Sequence, residues 1–311
     1  MLRRNAFAAG PLAASSLWGG MYVVSKWGFS VIPPVTLAFL RVFLGALALL
    51  VVVRLYTPER SFSRRDKKGF VFLGAWVTLT LVTQFIGTDL TNASQGSLLT
   101  VLTPVFTLLL GVAVLDEGLT IRKTAGMVLA AVGTLIVISG QYDLARIATP
   151  NLLGVSTLLV ASFAWAGYTV WGKPLVRKYS ALETATYSTV AATPMLGVLV
   201  PVELAFTGLP SSPSLPMVGA VLYLGLLSTA AAWYLWYKGL EYVDTGTVAV
   251  FFFAQPLVGT VLGALLLNED LGPMFLIGGA VMAIGVYVVS VARETDAPRR
   301  EDLTSEADKN F

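Results

Sequence analysis

Neither cysteine nor histidine occurs anywhere in the 311 residues of this chain. Their absence excludes disulfides, thiolate nucleophiles, haem ligation and most zinc sites, together with histidine-based acid and base chemistry. Charge is scarce as well: Asp, Glu, Lys and Arg make up 13% of the residues, where an average soluble domain carries roughly 25%. With 56% hydrophobic residues and a mean hydropathy of +0.75, the composition is that of an integral membrane protein. No carboxylate falls near the middle of an apolar run, which disfavours a proton relay of the usual kind and a paired-carboxylate hydrolytic site. No glycine-rich phosphate cradle is present, so ATP is not the implied energy source. Without a nucleophile and base at bilayer depth the chain is not expected to be an enzyme, and no cofactor is called for.

What is present is a series of long apolar runs. At about 20 residues per crossing, spans are predicted near 7–29, 34–55, 69–88, 93–115, 121–140, 152–173, 181–205, 216–238, 246–267 and 272–292. The first run passes through Trp18 to Phe29, too long for a signal-peptide core of about 7–15 residues, and reads as an uncleaved first helix. The tail 293–311, polar and of mixed charge, is predicted to be disordered. Eighteen of the 21 Lys and Arg residues fall on one face of such a ten-span chain; Lys26 and Arg146 fall on the other, and Arg41 lies inside a span. By the positive-inside rule both termini are cytoplasmic. The net charge of +3 needs no nucleic-acid partner, and the basic loop from Arg60 to Lys68 is explained as a topology and lipid-headgroup anchor.

The chain also reads twice. Trp18, Gly20 and Lys26 recur 147 residues later as Trp165, Gly167 and Lys173. Gly87, Pro104, Gly111, Glu117, Gly126 and Gly133 recur 152 residues later as Gly239, Pro256, Gly263, Glu269, Gly278 and Gly285. The change in shift is absorbed in the Pro/Ser-rich stretch from Pro210 to Pro216. Two five-helix repeats follow, 7–140 and 152–292. Since each repeat has an odd number of spans, the second enters the bilayer upside down. Inverted repeats about a central cavity are the architecture of alternating-access carriers.

Within this frame, Pro104 and Pro256 sit at equivalent mid-span positions, where proline removes a backbone donor and bends the helix. They are expected to set the bends about which gates move. Small residues at helical spacing, Gly126, Ala130 and Gly133 in the fifth span and Gly278, Gly279, Ala283 and Gly285 in the tenth, allow close helix packing, within the bundle or at a homodimer contact. Polar and aromatic residues at depth are the candidate substrate contacts: Trp18 and Tyr22, Trp165 and Tyr168, the stripe Trp76, Thr80 and Gln84, then Ser97, Tyr234, Phe252 and Gln255. Interfacial belts account for Trp27, Trp171, Trp236, Tyr237 and Tyr179. Arg41 is expected to be structural, paired with a carbonyl or with Asp89, or snorkelling. Lys26 and Lys173 either snorkel or line the two mouths of the cavity, while Glu117 and Glu269 are expected to cap the tight turns that follow them.

The Trp-Gly pair at 18–19, the Arg41 context FLRVFLGAL, and the two blocks LTPVFTLLLGVAVLDEGLT at 102–120 and AQPLVGTVLGALLLNEDL at 254–271 resemble the drug/metabolite transporter superfamily, specifically its EamA-type ten-helix exporters. The resemblance covers nearly all of residues 7–292, with Asn268-Glu269-Asp270 departing from the family's usual Gly-Glu. It implies a multi-pass protein of the bacterial inner membrane that exports amino acids, related metabolites or toxic amphiphiles without a prosthetic group. The deep Trp and Tyr content is similar to that of exporters of aromatic amino acids. A cationic drug, a purine or a sugar phosphate on the same fold is the alternative cargo, and the protein would act as a monomer or a homodimer.

Overall fold

The structure, a computed structural model, describes residues 6–91, 93–118, 120–141, 152–210, 214–242, 245–267 and 273–296. These residues form ten helical spans, some of them divided. The first repeat consists of α1 (Ala6–Gly28), α2 (Pro34–Tyr56), α3 (Arg64–Leu90), α4 (Ala93–Leu99), α5 (Thr103–Leu115) and α6 (Ile121–Gln141). The second consists of α7 (Leu152–Lys178), α8 (Ala181–Thr207), α9 (Leu215–Leu222), α10 (Ala232–Leu240), α11 (Thr245–Val250), α12 (Ala254–Leu267) and α13 (Pro273–Asp296). Five helical stretches are individually long and apolar enough to cross a membrane: α2, α3, α7 from Leu153, α8, and the run Leu215–Leu240.

Local chemistry fixes several ends beyond the apolar runs. Ser63 accepts a hydrogen bond from Asp66 N at 3.1 Å, and this N-cap starts α3 at Arg64 instead of near 69. Ser180 does the same for Glu183 N at 3.1 Å and donates to the Glu183 carboxylate at 2.7 Å, an N-cap that opens α8. α7 continues to Lys178 and α13 to Asp296, so residues 293–296 are helical where the sequence suggested a disordered tail. The remainder of that tail, Arg146 and Glu269 lie outside the described residues.

The repeats interlock. α1 packs on α10 and α12, and its counterpart α7 packs on α3 and α5; α2 pairs with α8, and α6 with α13. Every one of these contacts joins one repeat to the other, as a pseudo-twofold arrangement requires. The α6–α13 contact depends on the small residues: a Cβ on Gly133 would lie 2.6 Å from Gly278 O, and one on Gly285 would lie 2.6 Å from Gly126 O. We expect Gly133→Val to destabilise the folded protein by about 1–3 kcal/mol through overpacking against backbone. Thermal unfolding in detergent measures this, and an unchanged midpoint would mean that the helices separate without penalty.

The spans holding Pro104 and Pro256 are divided in the same way. Each is interrupted by a 3₁₀ turn, Thr100–Leu102 before α5 and Phe251–Phe253 before α12. The prolines sit in the first turn of the helix that follows, where a missing N–H leaves no bond unmade. The span between Leu215 and Leu240 carries a π-helical stretch, Tyr223–Ala231, with no counterpart in α3.

Candidate functional site

The two broken spans converge with α1, α2, α3, α7 and α10 on one small central cavity. Its walls are Trp18 and Met21 from α1, Arg41 from α2, Thr80, Leu81 and Gln84 from α3, and Ala161 and Trp165 from α7. Thr100 and Thr103 from the first broken span, Trp233 from α10, and Phe252 and Gln255 from the second broken span complete it. The space open to the centre of a water molecule is about 20 Å³, and one water needs roughly 10–15 Å³ by that measure. The conformation is therefore contracted, and a solute the size of an amino acid enters only when the walls move apart.

Four aromatic side chains, Trp18, Trp165, Trp233 and Phe252, stand in the lining. Trp18 meets Trp165 edge to face with ring centroids 5.0 Å apart, Trp236 at 5.3 Å and Phe252 at 5.4 Å. The Trp18 indole N–H donates to Ser228 O at 2.9 Å, one of the carbonyls of the π stretch. Beside it runs a polar chain: Gln84 Nε2 donates to the Tyr22 hydroxyl at 2.7 Å, Tyr22 donates to Thr100 Oγ1 at 3.2 Å, and Thr100 donates to Ser97 O at 2.7 Å. The repeat reproduces its first link with different chemistry, since Trp236 Nε1 donates to Thr169 Oγ1 at 3.1 Å, and these residues are the counterparts of Gln84 and Tyr22. Three polar atoms of lining residues, Trp165 Nε1, Gln255 Nε2 and Thr103 Oγ1, are buried without a hydrogen-bond partner.

Of the residues singled out by sequence, Trp18, Thr80, Gln84, Trp165, Phe252 and Gln255 line the cavity. Tyr22, Ser97 and Tyr168 are buried just behind it, with Tyr168 bonded to Ser188 Oγ at 3.0 Å. Trp76 and Tyr234 are not among the lining residues. Trp76 stacks on Trp171 at 5.4 Å and covers Gly167 on the far side of α7, away from the cavity. Tyr234 is partly buried beside the core, and its neighbour Trp233 takes the lining position. Trp236 and Tyr237, assigned by sequence to an interfacial belt, are fully buried. Arg41 neither snorkels nor reaches Asp89; it bonds to Ser228 and Thr229 and faces the cavity. The signal that could have placed it there was present: it is a lone charge inside a span, which marks a functional position by default.

The sequence profile of the EamA-like transporter family matches residues 7–139 and 152–291. The chain belongs to the EamA-like transporter family. Among relatives of this EamA transporter, a probable amino-acid metabolite efflux pump of Salmonella typhimurium is 28% identical over 298 residues, 93% of this chain and 95% of that protein. A probable terminal-alkyne amino-acid exporter of Streptantibioticus cattleyicolor is 30% identical over 213 residues, 68% of each chain. A crystal structure shares the fold at a TM-score of 0.76 and 18% identity, covering 93% of this chain and 99% of the other. The chain is thus a multi-pass membrane transporter, not an enzyme.

In this EamA transporter an ion pair near the end of α7 joins the two repeats. Glu117, expected to cap its own turn, instead reaches the other repeat. Its carboxylate pairs with Lys173 Nζ at the end of α7 and accepts from Thr245 N at 3.1 Å and Thr245 Oγ1 at 2.9 Å, at the N-terminus of α11. Thr120 takes the local capping role, accepting from Lys123 N at 3.3 Å. The equivalent lysine of the first repeat behaves differently. Lys26 Nζ donates to Asp89 O at 2.8 Å and Thr91 O at 3.0 Å, and lies 3.9 Å from the Asp89 carboxylate, all within its own repeat.

Proposed function

We propose that this transporter exports small amphipathic metabolites, foremost amino acids including aromatic ones, from the cytoplasm of a bacterium across its inner membrane by alternating access. The observation that carries the reading is the cavity itself: aromatic rings and polar groups around one enclosed space, with a few unsatisfied polar atoms, sited where two inverted repeats meet. Inverted-repeat carriers hold their cargo at such a junction, next to discontinuous helices, and both broken spans end on this cavity. The names of the two relatives above point to the same class of cargo. In this reading Trp18, Trp165 and Phe252 contact the apolar part of the solute, and Thr80, Gln84 and Gln255 its polar part. Tyr22, Ser97 and Tyr168 hold those walls in place. Pro104 and Pro256, one turn beyond the 3₁₀ interruptions, set the joints about which the half-spans swing.

The Lys173–Glu117 contact lies on the face that the Lys and Arg distribution assigns to the cytoplasm. The described conformation is then sealed toward the cytoplasm, and export requires this seal to open for loading. Uptake of labelled tryptophan, phenylalanine and threonine into proteoliposomes of the purified protein, with and without a proton gradient, tests the proposal. We expect saturable uptake that unlabelled amino acids compete away. Flux that neither saturates nor exchanges would indicate a passive channel, and no uptake of any amino acid would overturn the cargo assignment.

A further inference from the structure

We infer that the cavity is a receptor for the carboxylate of an aromatic acid, anchored by Arg41, and that an amino group on the cargo contributes little. This rests on reading the cavity as the cargo site. Arg41 is 1% exposed, and every group it touches is neutral. Nε donates to Thr229 Oγ1 at 2.9 Å, and Nη2 donates to Ser228 O at 3.1 Å and Ser228 Oγ at 3.3 Å. Nη1 meets only the Met21 sulfur at 2.6 Å, a weak acceptor, and the Phe85 ring lies 5.4 Å from the guanidinium carbon. Among the described residues no carboxylate pairs with it; Asp89, the acid nearest in the sequence argument, serves Lys26. A buried charge is normally compensated by an opposite one. Here dipoles alone hold it, and one edge of the guanidinium is poorly satisfied.

The same cavity holds two buried N–H groups in want of an acceptor, Trp165 Nε1 and Gln255 Nε2. Donors and a cation facing one space describe an anion receptor, and a planar carboxylate matches the fork geometry of arginine. The lining contains no Asp or Glu, so an ammonium would find only ring faces and neutral hydroxyl and amide oxygens there, against the field of Arg41. The site holds one anionic group and not two, because Ser188 stands at the equivalent position in the second repeat and is bonded to Tyr168.

The test is competition against labelled phenylalanine in proteoliposomes, with phenylalanine, 3-phenylpropionate, phenethylamine and phenyl phosphate as unlabelled competitors. We expect 3-phenylpropionate to compete within about threefold of phenylalanine, and phenethylamine to be roughly 10- to 100-fold weaker, the range of a charge-assisted hydrogen-bond pair. Phenethylamine equal to or better than 3-phenylpropionate overturns the inference while leaving an amino acid carrier in place. Stronger competition by phenyl phosphate reassigns the site to phosphate esters and equally overturns it. If phenylalanine is not transported, the proposed cargo fails, yet the inference is still decided by binding: 3-phenylpropionate should quench the fluorescence of the cavity tryptophans, and phenethylamine should not. Absence of that difference overturns it. Arg41→Gln should abolish the preference for the acid, and because the ligand series in the unaltered protein carries the result, a variant that fails to fold does not blunt the test.

Discussion

Lys173→Met should destabilise the folded transporter by about 3–5 kcal/mol, the usual penalty for stripping one partner from a buried ion pair. Both side chains of the Lys173–Glu117 pair are 7% exposed, so water cannot take over the lysine's role. The carboxylate would keep its bonds to Thr245 N and Oγ1, but these are neutral donors. The double variant Lys173→Met/Glu117→Gln should recover most of the loss, since a neutral amide can still accept from Thr245 and no buried charge is left behind. Denaturant or thermal unfolding of the four proteins in one detergent gives the coupling energy directly. Additive single effects would mean that the pair is held loosely and does not seal the face. A functional consequence accompanies the energetic one. Because the chain contains no cysteine, a single cysteine placed at Thr103 can be labelled without background, and Lys173→Met should speed its labelling from the side on which Lys173 and Glu117 meet.

Trp18→Ala should have a comparable effect on stability, about 3–5 kcal/mol for a large buried ring, and should abolish saturable uptake. The indole is 4% exposed, touches the rings of Trp165, Trp236 and Phe252, and ties α1 to the π stretch through Ser228. Trp18→Phe separates these roles, keeping a ring while giving up the N–H bond. Its penalty should be nearer 1 kcal/mol, because Arg41 still donates to the Ser228 carbonyl. Trp76→Ala is the control: it removes an equally large ring away from the cavity, so the folded fraction should transport with an unaltered KM. A raised KM in Trp76→Ala would shift the substrate site toward the outer aromatic cluster.

The spans and the duplication were legible in the sequence because each rests on a one-dimensional signal, apolar length in one case and spaced landmarks in the other. Facing was harder to read. Trp76, Thr80 and Gln84 look like one stripe, but each four-residue step overshoots a full helical turn by about 40°, so the first and last members point roughly 80° apart. Gln84 meets the cavity and Trp76 does not. Tyr234 was displaced for another reason: the π stretch Tyr223–Ala231 just before it has its bonds set one residue wider, which rotates everything downstream and brings Trp233 inward. The spans that carry the prolines are also the broken ones, with the breaks a few residues earlier at Thr100–Leu102 and Phe251–Phe253. Contacts across the chain had no local signal at all. Glu203 accepts from Val35 N and Thr36 N at 2.7 Å each, capping α2 from 168 residues away.

The pair α6 and α13 packs chiefly on itself, with main chains so close at Gly133 and Gly285 that no added carbon fits. Such a seam has no slack with which to slide or open, so any swing of the half-spans that feed it must leave it as it is. Probes fixed across this seam would give a constant reference length, a ruler built into the protein, against which every change of distance elsewhere in the bundle can be gauged.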